Sequence, residues 1–131
     1  MAKQLKLFAS ISKKLTSRKK SGNDAEQQAC KHLQSHGLKL IEKNFSTKAG
    51  EVDLIMQDNE ALVFVEVRYR KNADFGGAAA SVTPKKQQRI IKAALAYQQK
   101  YAPQSSMRFD VVAIEGDNRE LDWIQNAFSG F

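Results

Sequence analysis

Glu51, Asp53 and Glu66 lie inside two runs otherwise rich in Val, Leu, Ile and Phe, GEVDLIMQD and ALVFVEVRYR. A carboxylate within a strand is costly unless it faces water, is paired, or binds a cation. Strand side chains alternate between faces. Glu51, Asp53 and Ile55 therefore share one face of the first run, and Leu62, Phe64, Glu66, Arg68 and Arg70 share one face of the second. A two-residue turn at Asp58-Asn59 pairs Gln57 with Glu60, which sets Asp53 opposite Phe64 and Glu51 opposite Glu66. Asp53 and Glu66 are then diagonal neighbours, roughly 5–8 Å apart at Cβ. A loop one residue longer would break the arrangement, because side chains change face with every residue of slip.

Like charges this close repel unless something offsets them. A divalent cation does so: Mg²⁺ or Mn²⁺ takes hard oxygen ligands, commonly one or two carboxylates completed by water and substrate phosphate. The plainer arrangement is a solvated sheet face on which Glu66 pairs with Arg68. Placement favours the metal, since the acids come late in hydrophobic strands beside the cationic cluster Arg68, Arg70 and Lys71.

The elements that must position these groups follow from local pattern. Asn23 or Asp24 can cap a helix running to about His36, with Gly37 as its stop. Ala25, Ala29 and Leu33 form its apolar stripe, with Cys30 beside them. LKLIEKNF, 38–45, predicts a strand, and the two acid-bearing runs predict two more joined by a tight hairpin. A small-residue loop covers 72–82, and Thr83-Pro84 starts a second helix with Thr as cap and Pro in the first turn. Ile90, Ile91, Ala94, Leu95 and Tyr101 give that helix its buried face. MRFDVVAI, 107–114, predicts a fourth strand and LDWI, 121–124, a short fifth. The order α-β-β-β-α-β implies an α/β fold, a mixed central sheet flanked by helices.

At 131 residues the chain suits one domain with a real core. A single cysteine excludes an intramolecular disulfide and argues against a cysteine-based zinc site. No apolar run approaches the roughly 18 residues of a membrane span, and none resembles a signal peptide, so the expected location is cytoplasmic. The net charge of +7 is confined to residues 1–22, which hold seven basic side chains and no acid. This segment is expected to be a flexible basic arm preceding a single domain over 23–131. Lys13, Lys14, Arg18, Lys19 and Lys20 within it suit contact with a polyanion. A solubilising tail is the competing reading. Leu5, Phe8, Ile11 and Leu15 recur at helical spacing, so a helix lying on a membrane surface is a third.

Asp, then after a short hairpin Glu-x-Lys at a strand end, resembles the active site of the PD-(D/E)xK, or restriction-endonuclease-like, nucleases. More closely, GEVDLI…LVFVEVRYR…FGGAAASVTPKKQQRI…RFDVVAI resembles the YraN family of bacterial proteins, which is similar to archaeal Holliday-junction resolvases. The resemblance covers roughly residues 21–128. It implies a restriction-endonuclease-like fold and an Mg²⁺- or Mn²⁺-dependent endonuclease acting on DNA, including branched or structured DNA. A homodimer is implied too. It makes Asp53 and Glu66 the metal-binding acids and adds Glu26, on the first helix, as an acid near the metal. Glu26 has an equally good local reading, since three residues after Asn23 it completes a capping box.

Arg68 departs from the pattern by occupying the place of the motif lysine. An arginine stays charged, so it cannot act as a general base. It can hold a phosphate or stabilise developing negative charge. Lys85 and Lys86, at the start of the next helix, are the lysines able to approach instead, and with Arg70 and Lys71 they suit contact with nucleic acid. The alternative to an enzyme is a non-catalytic nucleic-acid-binding or scaffold protein on the same fold. His32 and His36 are four apart on one helix face, but no HExxH surrounds them and they are expected at the surface. Asp110 is expected to mark a strand edge or pair with Arg108, and Trp123 to be core.

Overall fold

The computed structural model describes residues 17–72 and 77–130, with side chains described from Asn23 onward. The chain is α/β, in the order α1 (Ser17–Ser35), β1 (Lys39–Thr47), β2 (Gly50–Asp58), β3 (Ala61–Arg70), α2 (Gly77–Ala80), α3 (Pro84–Tyr101), β4 (Met107–Glu115) and β5 (Glu120–Phe128). The five strands form one sheet in sequence order, β1-β2-β3-β4-β5. Neighbours are antiparallel except β3 and β4, which run parallel because the chain crosses over through α2 and α3 between them. Among the described residues no helix is long and apolar enough to cross a membrane.

Alternation in the strands feeds two apolar clusters, one on each face. On one side, Ile55, Leu62, Phe64, Phe109 and Val111 pack against Ile90, Ile91, Ala93, Ala94 and Tyr97 of α3. On the other, Leu54, Met56, Val63, Val65, Val112 and Ile114 pack against Ala25, Ala29, Cys30 and Leu33 of α1. The central strand β3 is buried along most of its length, as expected of a strand covered on both faces.

Several boundaries differ from the sequence expectation. Helix α1 starts at Ser17 and runs through Ser21, Gly22 and Asn23, so Asn23 is not its cap. Poor intrinsic propensity at Gly22 is about 1 kcal/mol, too little to stop a helix whose axis is fixed by buried Ala25, Ala29 and Leu33. The helix ends as expected: Gly37 takes φ +95°, its N–H bonds to the Gln34 carbonyl, and the Leu38 N–H bonds to that of Leu33. The GAAA of the expected loop makes a single helical turn, α2. Strand β5 extends to Phe128, beyond the short LDWI segment. Tyr101 is exposed, and the buried tyrosine of α3 is Tyr97, one turn earlier.

The hairpin turns one residue later than expected. Asp58 pairs with Ala61, and Asn59 takes the left-handed conformation at φ +56°. Moving the turn by one residue shifts both strands together, so from Leu54 to Val65 each side chain keeps its face while its opposite number changes. Continued past the observed pairs, this register brings Asp53 directly opposite Glu66.

Candidate active site

The β2–β3 ladder is paired from Asp58–Ala61 to Leu54–Val65. Beyond it the Asp53 side chain takes over: its Oδ2 accepts the backbone N–H of Val67 at 2.8 Å. Strand β2 rotates at this point. Val52 packs in the α3 cluster and Leu54 in the α1 cluster, although regular alternation would put both on one face. On β1, Asn44 lies between the partners of Leu54 and Val52 and has φ +54°. The twist carries the Asp53 carboxylate off the sheet face and into the gap between the diverging strands.

Glu66 is 2% exposed and lies close enough to Asp53 to feel its charge. Burial, and then the charge of Asp53, push its carboxyl up to about 8, against the pull of Lys86. The Lys86 ammonium lies 3.1 Å from Glu66 Oε2, whereas the nearest Arg68 nitrogen is at 4.0 Å. Arg68 is engaged elsewhere: its Nε donates to Ser81 Oγ at 2.8 Å, and Ser81 in turn donates to the Ala78 carbonyl at 2.5 Å.

Glu26, half-buried on α1, reaches the same region from the opposite side of the sheet. Burial raises its carboxyl to about 7, helped by the charges of Asp53 and Glu51 and opposed by Lys43 and a hydrogen bond with Asn44. Because α1 begins well before Asn23, the capping-box role for Glu26 is excluded. The charge of Asp53 is thus felt by both Glu26 and Glu66, and exposed Glu51 belongs to the same acidic group.

Against this acidic centre lies a basic cleft of about 300 Å³ lined by Glu51, Thr83, Lys85, Lys86, Arg89 and Ile90. Helix α3 enters it N-terminus first. Thr83 Oγ1 accepts the Lys86 N–H at 3.2 Å, as the Thr-Pro pattern predicts. The helix dipole adds to the three cations there. Arg89, which sequence reasoning did not single out, lies one turn beyond Lys85 and Lys86. That spacing of three to four residues was the signal available. Helix and strand meet without side chains between them: a methyl on Gly50 would overlap the Arg89 carbonyl.

Other expected contributors are more scattered. Arg70 and Lys71 are exposed at the end of β3. Arg18, Lys19 and Lys20 fall in the first turns of α1, while Lys13 and Lys14 lie outside the described residues. His32, in the last turn of α1, and His36, just beyond it, stand with ring centroids 4.5 Å apart, both edge-on to Trp123. Asp110 is buried and pairs with Arg108 through two bonds of 2.9 Å.

The donor set suits a hard divalent cation. Asp53 and Glu66 offer carboxylate oxygens from neighbouring strands, and a cation between them would offset their mutual repulsion. Among the described residues no group of three or more His, Cys, Asp or Glu could hold a metal ion by itself. Two hard carboxylates are a set that Mg²⁺ or Mn²⁺ would take, with water and substrate oxygens completing its shell.

Comparison with known proteins agrees with the sequence resemblance. A relative from Nitrosomonas eutropha, a UPF0102 protein, is 53% identical over 114 residues, covering 87% of this chain and 97% of its own length. One from Coxiella burnetii is 54% identical over 110 residues (82% and 91%), and one from Vibrio campbellii 48% over 118 (88% and 97%). The model of "Uncharacterised protein family UPF0102" matches residues 25–114, from the buried stripe of α1 through the acids of β2 and β3 to the end of β4, and the chain belongs to this family, the YraN family.

Proposed function

We propose that the protein is a metal-dependent endonuclease hydrolysing phosphodiester bonds of DNA, with branched or structured DNA as its substrate class. One observation carries the reading: Glu66, buried on β3, lies within the influence of the Asp53 carboxylate of β2, and its partner Lys86 belongs to an adjoining cleft of three cations. Such a centre has little use in a purely structural sheet, where like charges would be selected apart.

Hydrolysis adds water across one P–O ester bond. The water oxygen bonds to phosphorus and loses a proton, while the ester oxygen leaves and takes one up. Asp53 and Glu66 would hold Mg²⁺ or Mn²⁺, which when bound supplies activated water and charge neutralisation. Lys85, Lys86, Arg89 and the α3 N-terminus hold the phosphate beside the acids, and Glu26 restrains Asp53 electrostatically. Arg70, Lys71 and the basic N-terminal residues add sequence-independent affinity through counterion release. On this reading the enzyme works in the cytoplasm, where the lack of an apolar span or signal-like run would leave it, and the resemblance implies a homodimer.

A second reading, a nucleic-acid-binding or scaffold protein without turnover, draws on Arg68, which replaces the motif lysine and is bonded to Ser81. Calorimetric titration with Mn²⁺, followed by incubation with linear, forked and four-way-junction DNA, separates the two. The nuclease reading expects the protein to bind Mn²⁺ and cut at least one of these DNAs. Asp53→Asn should abolish both while melting at an equal or higher temperature, because an amide oxygen still accepts the Val67 N–H. An Asp53→Asn protein that loses about 1–3 kcal/mol of stability yet retains Mn²⁺ would leave only the binding module.

A further inference from the structure

We propose that Lys86, reaching in from α3, is the catalytic cation of this centre, and that Arg68, in the strand position of the motif lysine, is a latch for α2. The inference rests on the phosphodiesterase reading and assigns its residues.

Two cations flank Glu66, and their surroundings differ. Arg68 is committed to the loop after β3. Its Nε bonds to Ser81 Oγ, Ser81 bonds to the Ala78 carbonyl, and the Ala78 N–H donates to Glu115 Oε1 at 3.0 Å. This chain of bonds fastens α2 to the ends of β3 and β4. A planar guanidinium anchored through Nε has little freedom to follow charge as a reaction proceeds.

Lys86 has no such commitment. Its ammonium contacts Glu66 Oε2 at 3.1 Å, and its side chain is 36% exposed, lining the cleft with Lys85 and Arg89. An ammonium carries three rotatable donors, so it can keep one on Glu66 and turn another to a non-bridging phosphate oxygen. Its backbone is fixed from both sides. Thr83 caps the turn that carries it, and one turn later Gly50 of β2 meets the Arg89 main chain. A flexible donor on a fixed base, reaching from a cleft with room for a phosphate to an acid of the proposed metal site, suits stabilisation of the charge that builds on a pentavalent phosphorus.

The test compares Lys86→Met, Lys86→Arg and Arg68→Met in the full chain, with DNA and Mn²⁺ saturating. Lys86→Met should lower kcat by about 100-fold or more with KM changed only a few-fold, and Lys86→Arg should recover part of the loss. Arg68→Met should lower the melting temperature and cost less than about tenfold in kcat. The reverse ranking, with kcat lost on Arg68→Met and kept on Lys86→Met, overturns the assignment. If the unaltered protein cuts none of the DNAs, the nuclease reading has failed, and Mn²⁺ affinity then decides the placement of Lys86. Removing a cation from Glu66 should tighten Mn²⁺ about tenfold in Lys86→Met and leave Arg68→Met unchanged. Equal affinities in the two variants would show that Lys86 does not govern Glu66.

Discussion

Two charged side chains are buried among the described residues, Glu66 on β3 and Asp110 on β4, and the fold treats them in opposite ways. Asp110 is surrounded by donors. Arg108 gives it two bonds, Trp123 Nε1 a third and the Asn126 backbone N–H a fourth, all at 2.9 Å. Arg108 is itself anchored to Asp58 at 3.0 Å, which ties β4 to the end of β2. Glu66 is instead set beside another carboxylate, with partly exposed Lys86 at 3.1 Å and Arg68 no closer than 4.0 Å to balance it. Burial alone therefore says little about role. A buried acid given every donor it can accept is part of the framework, whereas one set against its own kind is, on the proposed reading, the place for a cation.

The widest gap between the two should appear on removal. Asp110→Ala leaves a partly buried guanidinium edge, an indole N–H and a backbone N–H without their acceptor, and should destabilise the fold by about 3 kcal/mol in denaturant unfolding. A loss under about 1 kcal/mol, the size of an ordinary surface change, would erase the contrast with Glu66.

Titration gives the next effect. Glu26 and Glu66 both have folded values above the unfolded one, at about 7 and about 8. The folded state thus binds more protons, so this contribution to stability is complete below the unfolded value and is lost as pH rises through 7 and 8. Metal-free protein should melt lower at pH 8.5 than at pH 5.5. Glu66→Gln should flatten that slope and be the more stable form at pH 8.5, by something on the order of 2 kcal/mol, since the neighbouring acids divide the effect between them. Added Mn²⁺ should rescue the alkaline loss in the unaltered chain and not in Glu66→Gln. A slope unchanged by the substitution would move the frustration away from Glu66.

The smallest effect on stability should come from the basic N-terminal residues. Deleting residues 1–16 should leave the melting temperature nearly unchanged while weakening DNA binding. The salt dependence of binding should become shallower, by about one unit of slope for each phosphate that is no longer neutralised. Unchanged affinity would return the segment to a solubilising tail.

Much of this was legible in the sequence because it depends on local period. Alternation in β2 and β3, the Thr-Pro start of α3 and the Ala25, Ala29, Leu33 stripe each follow from neighbours a few residues away. The meeting of Asp53 and Glu66 survives an error in the turn, since moving the turn along both strands preserves face. What escaped were contacts between distant segments. Nothing near Val52 or Leu54 announces that β2 rotates between them. Nothing near Arg68 shows that Ser81 captures it. Asp110 could be guessed as a partner of Arg108, but the bonds from Trp123 and Asn126 depend on the offset between β4 and β5, where the register slips between Phe109 and Val111. The length of β5 and the start of α1 were missed because tertiary packing carried both elements through residues of poor local preference.

Gly50 gives the cleft an unusual kind of wall. Where most helix–sheet contacts are cushioned by side chains that can change rotamer, here main chain bears on main chain at Arg89. Such a seat has almost no play. Substitutions around the cleft can change its charge and chemistry, but the helix cannot settle closer to the sheet or drift from it without breaking the contact. The three cations can therefore vary in reach independently of the spacing that aims them, much as tools can be exchanged on a fixed mount.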